Sequence, residues 1–198
     1  VDVSSFKFLR LEYNTPRLSF HCGDDSNAQD LTEFFAVDSI ASSKQLFTVT
    51  YALVDLSENI TVAFYSVMND RIQKDQCNNG LYNRLSRVIP NKKRWKSYPA
   101  VKVARFGVHK DYQRKGIGTM LMDYIKGNFI DNNKTGCRFI VVDAYPDAVG
   151  FYEQNGFDFL LTRGEEQGKT RSMYFDLILF TDPLASGDSP SSPSPIPT

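Results

Sequence analysis

Apolar side chains recur along this chain at two periods, and the switches between them mark out its elements. Phe6–Glu12 alternates as a strand does. Gln29–Lys44 follows helical spacing, as one helix or two short ones, with Leu31, Phe34, Phe35 and Ile40 turned inward. Leu46–Asp55 and Ile60–Met68 are rich in β-branched and aromatic residues, and the turn Leu56-Ser57-Glu58-Asn59 between them predicts a hairpin. The stretch 69–98 has no clear period until Leu81, Leu85 and Val88, which suggest a short helix. Ala100–Val108 favours β structure through Val101, Val103, Phe106 and Val108. Ile117, Met120, Leu121, Tyr124 and Ile125 then repeat at i, i+3, i+4, i+7 and i+8, one face of a helix. Phe139-Ile140-Val141-Val142 reads as a buried strand. Phe157–Thr162 and Ser172–Phe180 read as two more strands, joined by the polar Gly164–Thr170 loop. From Pro183 on, five of the nine prolines and many serines predict a disordered tail.

Length and composition add bounds. At 198 residues, with a hydrophobic fraction of 41%, one globular domain with a proper core is expected. We place it at 1–182, with 69–98 as a basic insertion and 183–198 as the tail. No run approaches the ~18 apolar residues of a membrane span, and the first thirty residues show no signal-peptide pattern. Cys22, Cys77 and Cys137 have no metal-ligand spacing, and His21 and His109 are the only histidines. Neither a disulfide framework nor a metal site is expected; the cysteines read as small buried residues and the compartment as a reducing cytoplasm.

The formal charge is zero but unevenly spread. Residues 70–115 hold 13 basic against 3 acidic residues, a net of +10, while 1–69 and 116–198 each carry −5. Arg84, Arg87, Lys92, Lys93, Arg94, Lys96, Arg114 and Lys115 belong to the basic block. Segregation of this kind points to an anionic partner, although a lysine run is more often a solvated loop.

Chemistry concentrates in Gln113-Arg114-Lys115-Gly116-Ile117-Gly118, between the strand ending at Val108 and the helix opening at Ile117. A glycine-bearing turn that opens a helix leaves backbone N–H groups unpaired at the positive end of the helix dipole. Glycine leaves room for a close-approaching anion. The turn therefore reads as a diphosphate socket. No G-x-x-x-x-G-K-[ST] occurs, and no G-x-G-x-x-G comes after a strand. Alone the hexamer is a weak signal, and it gains weight from a second segment downstream. Beyond the Phe139–Val142 strand come Asp147, Ala148, Phe151, Tyr152, Gly156 and Phe157.

With these two segments in this order, the sequence resembles the GNAT superfamily of acyl-CoA-dependent N-acyltransferases. That family has a strand, [QR]-x-x-G-x-[GA], a helix and, about 35 residues on, A-x-x-F-Y-x-x-x-G-F. The resemblance covers roughly residues 5–180 and is strongest over 100–160. It implies an α/β fold: a mixed, mostly antiparallel sheet of six or seven strands with helices on both faces. It implies acetyl-CoA as co-substrate, held by Phe106, Gly107 and Val108, by Gln113, Arg114, Lys115, Gly116, Ile117, Gly118 and Thr119, and by Asp147 and Phe151. Many members carry Asn where this chain has Asp147.

The resemblance makes Tyr152 the general acid that protonates the leaving thiolate, a role its phenol (pKa ~10) suits at neutral pH. The plain alternative is a core aromatic. No Asp or Glu lies between Ala100 and His109, where many members keep a base, so Asp143 is the one carboxylate to nominate. Phe20-His21-Cys22-Gly23, Phe34-Phe35-Ala36, Phe64-Tyr65-Ser66 and Arg105-Phe106-Gly107-Val108 resemble more loosely the toxin branch, whose members acetylate aminoacyl-tRNA. That branch implies tRNA and a small antitoxin protein as partners, with a dimer as an option. Arg84, Arg87, Lys92, Lys93, Arg94 and Arg105 become candidate substrate contacts, while Phe34 and Phe35 could equally be core. Three function classes stay open: an RNA-directed acetyltransferase, a small-amine or protein N-acetyltransferase, and a non-catalytic acyl-CoA binder.

Overall fold

The structure is a computed structural model and describes residues 5–73, 77–88, 96–131, 133, 135–161 and 169–181. The elements run β1 (Phe6–Leu11), α1 (Ser26–Glu33), a π-helical turn (Phe34–Asp38), α2 (Ser39–Lys44), β2 (Val49–Asp55), β3 (Ile60–Gln73), α3 (Asn79–Val88) and β4 (Ser97–Val108). A 3₁₀ turn (Lys110–Tyr112), α4 (Ile117–Ile130), β5 (Phe139–Ala144), α5 (Val149–Gln154), β6 (Asp158–Phe159), β7 (Arg171–Asp176) and α6 (Ile178–Thr181) complete it. One seven-stranded sheet has the order β1-β2-β3-β4-β5-β7-β6. Every pairing is antiparallel except β4 with β5, which the α4 crossover makes parallel.

Alternation along the central strands feeds two cores. Val101, Val103, Ile140 and Val142 face α4 and α5, packing with Ile117, Leu121, Met122, Ile125 and Tyr152. Ala100, Phe139 and Val141 face the other way, onto Leu81 and Leu85 of α3. Burial on both sides explains the unbroken apolar run of β5. On that second face Phe34 and Phe35, with Ala28 of α1, cover Ala52, Val54 and Phe64. Each large side chain buried here contributes about 1.5–3 kcal/mol. Phe34 and Phe35 are therefore core residues.

Four expectations are corrected. β2 starts at Val49, because Leu46 adopts a left-handed φ of 60° in closing α2. The α4 face is rotated: Met122 and Lys126 point inward, while Met120 and Tyr124 lie at the exposed margin. The strand expected over Phe157–Thr162 shortens to Asp158–Phe159, with Thr162 outside the described residues. The strand expected over Ser172–Phe180 ends at Asp176, which accepts two bonds from Arg138 (3.1 and 3.0 Å) and one from the Ile178 N–H, and α6 follows. The stretch 69–98 opens as the end of β3 and closes as the start of β4, with α3 between them. The tail lies outside the described residues. Among the described residues, no helix is long and apolar enough to cross a membrane.

Candidate active site

The parallel pairing is short. Only Ala100↔Phe139, Val101↔Ile140 and Lys102↔Val141 are joined; beyond them β4 continues along β3 and β5 along β7. A bulge helps them part, since Ser66 faces Arg105 whereas Val67 faces Val103, leaving Ala104 as the extra residue of β4. A cavity of about 670 Å³ opens where the strands separate, at the carboxyl ends of two parallel strands, where ligands of α/β sheets bind.

The segment that follows Gln113, itself a lining residue, is shaped by its backbone. After the 3₁₀ turn, Arg114 (φ 57°) and Gly116 (φ 82°) both take the left-handed conformation and swing the chain into α4. Gly116 occupies the N-cap without offering a side-chain cap, so the first N–H groups of α4 are left for an outside acceptor. A Cβ on Gly116 would meet nothing within 4 Å. The space over the turn is open, and open space over an uncapped fourteen-residue helix fits a diphosphate. Gly118 is small for a different reason: a Cβ there would sit 3.1 Å from the Phe151 ring, where α4 and α5 approach.

Several residues assigned to cofactor binding also make contacts within the protein. Gln113 Nε2 donates to Cys22 O (2.6 Å) and Val108 O (3.0 Å), tying the turn to the end of β4. Ile117 is buried in the core. A Cβ on Gly107 would come within 2.9 Å of Phe64 and 3.0 Å of Phe20, so tight packing requires this glycine. Phe106 packs its ring 5.5 Å from that of Phe151. Lys115 Nζ lies 5.4 Å over the Tyr112 ring. Thr119 belongs to the first turn of α4, and Asp147 lines the cavity from the turn before α5.

Tyr152 lines the same cavity from α5, held edge-on by Phe151 (5.2 Å) and Phe157 (5.3 Å). It is buried, and burial pushes its phenol well above the ordinary tyrosine range. The hydroxyl is therefore protonated at every physiological pH. It belongs to the core and to the cleft at once.

Asp143 is not poised as a base. Its Oδ2 accepts from Lys102 Nζ of β4, and its Oδ1 from Ser172 Oγ of β7 at 2.8 Å. Burial drives its pKa up, but these two donors outweigh it, and the carboxyl ends below the usual range. It is an ion-paired carboxylate across three strands. Lys102 and Ser172 escaped the sequence reading; the one available signal was a lone lysine in an apolar strand.

The opposite wall comes from the chain before and within α1. Asp25 caps α1, accepting from Asn27 N and Ala28 N (both 3.0 Å), and Asp24, Asp25 and Cys22 line the cavity. Burial raises the Cys22 thiol pKa. Arg105 leans over the Phe34 ring (5.0 Å) with its Nε 3.6 Å from Asp30, and it also lines the cavity. Of the other proposed substrate contacts, Arg84 and Arg87 do not line the cavity. Arg84 Nη2 donates to Tyr174 OH (2.7 Å), Arg87 is exposed at the end of α3, and Lys92, Lys93 and Arg94 lie outside the described residues. Among the described residues, no group of three or more His, Cys, Asp or Glu could hold a metal.

Residues 89–172 match the family model described as the acetyltransferase (GNAT) domain. The match runs from ahead of β4 into β7, and the whole described fold is similar to that of the solved structures below. No curated protein matches its sequence. Solved structures are similar over nearly the whole chain. A tyrosine-to-phenylalanine mutant of KacT superposes with a TM-score of 0.73 at 16% identity, over 90% of this chain and 98% of that one. AtaT complexed with acetyl-methionyl-tRNAfMet gives 0.71 at 16% identity, over 89% and 97%. AtaTR bound with acetyl-CoA gives 0.68 at 16% identity, over 90% and 99%.

Proposed function

We propose that this chain moves an acetyl group from acetyl-CoA to the amino group of an aminoacyl-tRNA. The observation that carries the reading is that Gln113, which leads into the uncapped left-handed turn at Gly116, lines one cavity with the buried Tyr152. Acetyl-CoA supplies the acetyl group as a thioester. The backbone from Arg114 to Thr119 and the positive end of α4 hold its diphosphate, with Arg114 and Lys115 answering the remaining charge. Tyr152 gives its proton to the departing thiolate. β4 carries no carboxylate and Asp143 is ion-paired, so the acceptor amine arrives neutral or loses its proton to water. An aminoacyl ester, less basic than a lysine, meets that condition.

Two further points support an RNA acceptor: the fold shared with AtaT complexed with acetyl-methionyl-tRNAfMet, and the basic run from Arg84 through Lys96. The likeness to AtaT bound to the C-terminus of the antitoxin AtaR makes a small antitoxin protein the expected regulator. Filter binding of tRNA across a salt series tests the reading. Phosphate contacts release counterions, so log affinity should fall linearly with log salt. Replacing Lys92, Lys93 and Arg94 together with Ala should flatten the slope by about two units and leave acetyl-CoA affinity nearly unchanged. No tRNA binding at low salt, or an unchanged slope in the triple variant, ends the RNA reading.

One observation favours a second reading. Asp24, Asp25 and Asp147 line the cleft beside Lys102, Arg105 and Lys110, and these three carboxylates offer partners to a cationic small amine or a protein lysine. Turnover on free polyamines or peptides without turnover on aminoacyl-tRNA would select it.

A further inference from the structure

A second cavity, of about 400 Å³, opens between the segment joining α2 to β2, the C-terminal end of α4 and strands β3 and β4. Its volume falls in the range of about 300–1,000 Å³ typical of small-molecule sites. Met68 is the one lining residue it shares with the acetyl-transfer cleft.

Its chemistry is one-sided. Phe47, Tyr51 and Phe129 present three aromatic rings, and Asp131 is the only charged side chain among its described lining residues. Asp131 directly follows α4, whose last carbonyls carry the negative end of the helix dipole. Two irregularities mark the same spot. Thr48 Oγ1 is buried and has no hydrogen-bond partner, an exception that folded proteins rarely tolerate without use. Leu46 holds a left-handed φ of 60° while 91% exposed, and Phe47 beside it is 67% exposed. A strained backbone here keeps an apolar pair at the lip of the cavity, in water.

We propose that this cavity binds an organic cation with an apolar body, a substituted ammonium carried on an aromatic or short aliphatic group. An anion would meet Asp131 and the negative helix end. A neutral apolar guest would gain nothing from Asp131. A cation answers both and lies against ring faces whose quadrupoles attract it. The apolar body covers Leu46 and Phe47. The proposal does not depend on which amine is acetylated in the other cleft.

Benzyltrimethylammonium is the probe, because its quaternary nitrogen has no lone pair and cannot be an acetyl acceptor. Its NMR titration into the full chain is compared with phenylacetate and with neutral neopentylbenzene of the same shape. Saturable shifts confined to the residues around Phe47, Phe129 and Asp131 are expected below about 10 mM, with affinity ranked cation over neutral over anion. Asp131→Asn and Phe47→Ala, both at exposed positions, should each weaken binding about fivefold. Tyr152→Phe and saturating acetyl-CoA should leave it unchanged. The proposal is overturned by no saturable shifts at that concentration, by equal affinity for phenylacetate, or by an Asp131→Asn variant that binds as well as wild type. Shifts mapping to Asp24, Asp143 and Tyr152 would overturn it too, assigning the cation to the acetyl-transfer cleft.

Discussion

The two walls of the cleft are made in different ways. On the α4–α5 side the proposed working parts are a backbone turn and one tyrosine, all within residues 106–157 and joined by short connections. On the α1 side the wall is side chains, with Asp24 and Asp25 ahead of α1 and Arg105 arriving from β4 to meet Asp30 and Phe34. The first wall is set by local conformation and changes little with the identity of most side chains. The second exists only because sheet pairing and helix packing bring distant segments together. One wall is suited to a fixed co-substrate, the other to an acceptor that varies between enzymes. Mutations in the two should therefore separate co-substrate affinity from acceptor turnover.

The largest effect is expected at Tyr152. Tyr152→Phe keeps the edge-on packing with Phe151 and Phe157 and deletes only the hydroxyl. Acetyl-CoA should bind as before while kcat falls about 10²–10⁴-fold. Near-normal turnover in a steady-state assay would mean that the thiolate takes its proton from water. Next comes Gly116→Glu, which sets an anion in the open space over the turn. Acetyl-CoA affinity by calorimetry should drop at least ~100-fold, about 2.7 kcal/mol. Gly116→Ala carries the same left-handed backbone penalty without the charge, so comparing the two removes strain from the account. Equal affinities in wild type and Gly116→Glu would take the diphosphate away from this wall.

The contrast between the walls also explains what could be read from the sequence. The turn was legible because glycine spacing between a strand and a helix reports backbone conformation directly, and Gly116 at φ 82° is such a case. Tyr152 stood out as a candidate through its neighbours Phe151 and Phe157. Gly107 and Gln113 read as cofactor contacts, and their surroundings were not legible. Nothing local says that Phe64 and Phe20 crowd Gly107, or that Gln113 reaches Cys22, 91 positions away. The Lys102–Asp143–Ser172 row was illegible for the same reason, since its members meet only once β4, β5 and β7 lie side by side. Boundaries failed where a side chain or strained residue ended an element, as Leu46 does before β2 and Asp176 after β7.

A smaller effect is expected at Asp143, the carboxylate that lies between the two walls. Lys102 and Ser172 hold its pKa below the usual ~3.9, so it stays ionised throughout the working range of pH. A group that does not titrate there cannot supply the acid limb of the rate profile. Asp143→Asn should lower kcat/KM by less than ~10-fold and leave that limb in place. A limb that disappears in the variant would restore Asp143 as the base and attach catalysis to both walls.

The smallest effect concerns what stands behind the α5 wall. Lys126 of α4 is only 4% exposed, yet it donates to Asp123 Oδ1 (3.1 Å) and Asn155 O (3.0 Å) and lies 4.6 Å over the Phe175 ring. Asn155 follows α5, so the ammonium sits at that helix's negative end, a favourable placement of about 0.3–1 kcal/mol. Burial nevertheless lowers the Lys126 pKa, with Asp123 offsetting only part of the loss. The folded state then binds this proton less tightly than the unfolded chain, whose lysines titrate near ~10.4. Between the lowered folded value and that pH the unfolded chain holds more protons, so stability rises with pH. Lys126→Met removes both the desolvation penalty and the helix-end charge, and the two nearly cancel. Denaturant unfolding at pH 7 should show a change within about 1 kcal/mol. The gain in stability as pH rises toward ~10.4 should be absent in the variant. A loss above ~3 kcal/mol at pH 7 would instead make the lysine a net stabiliser, and the α5 wall would then owe its position to charge as well as to packing.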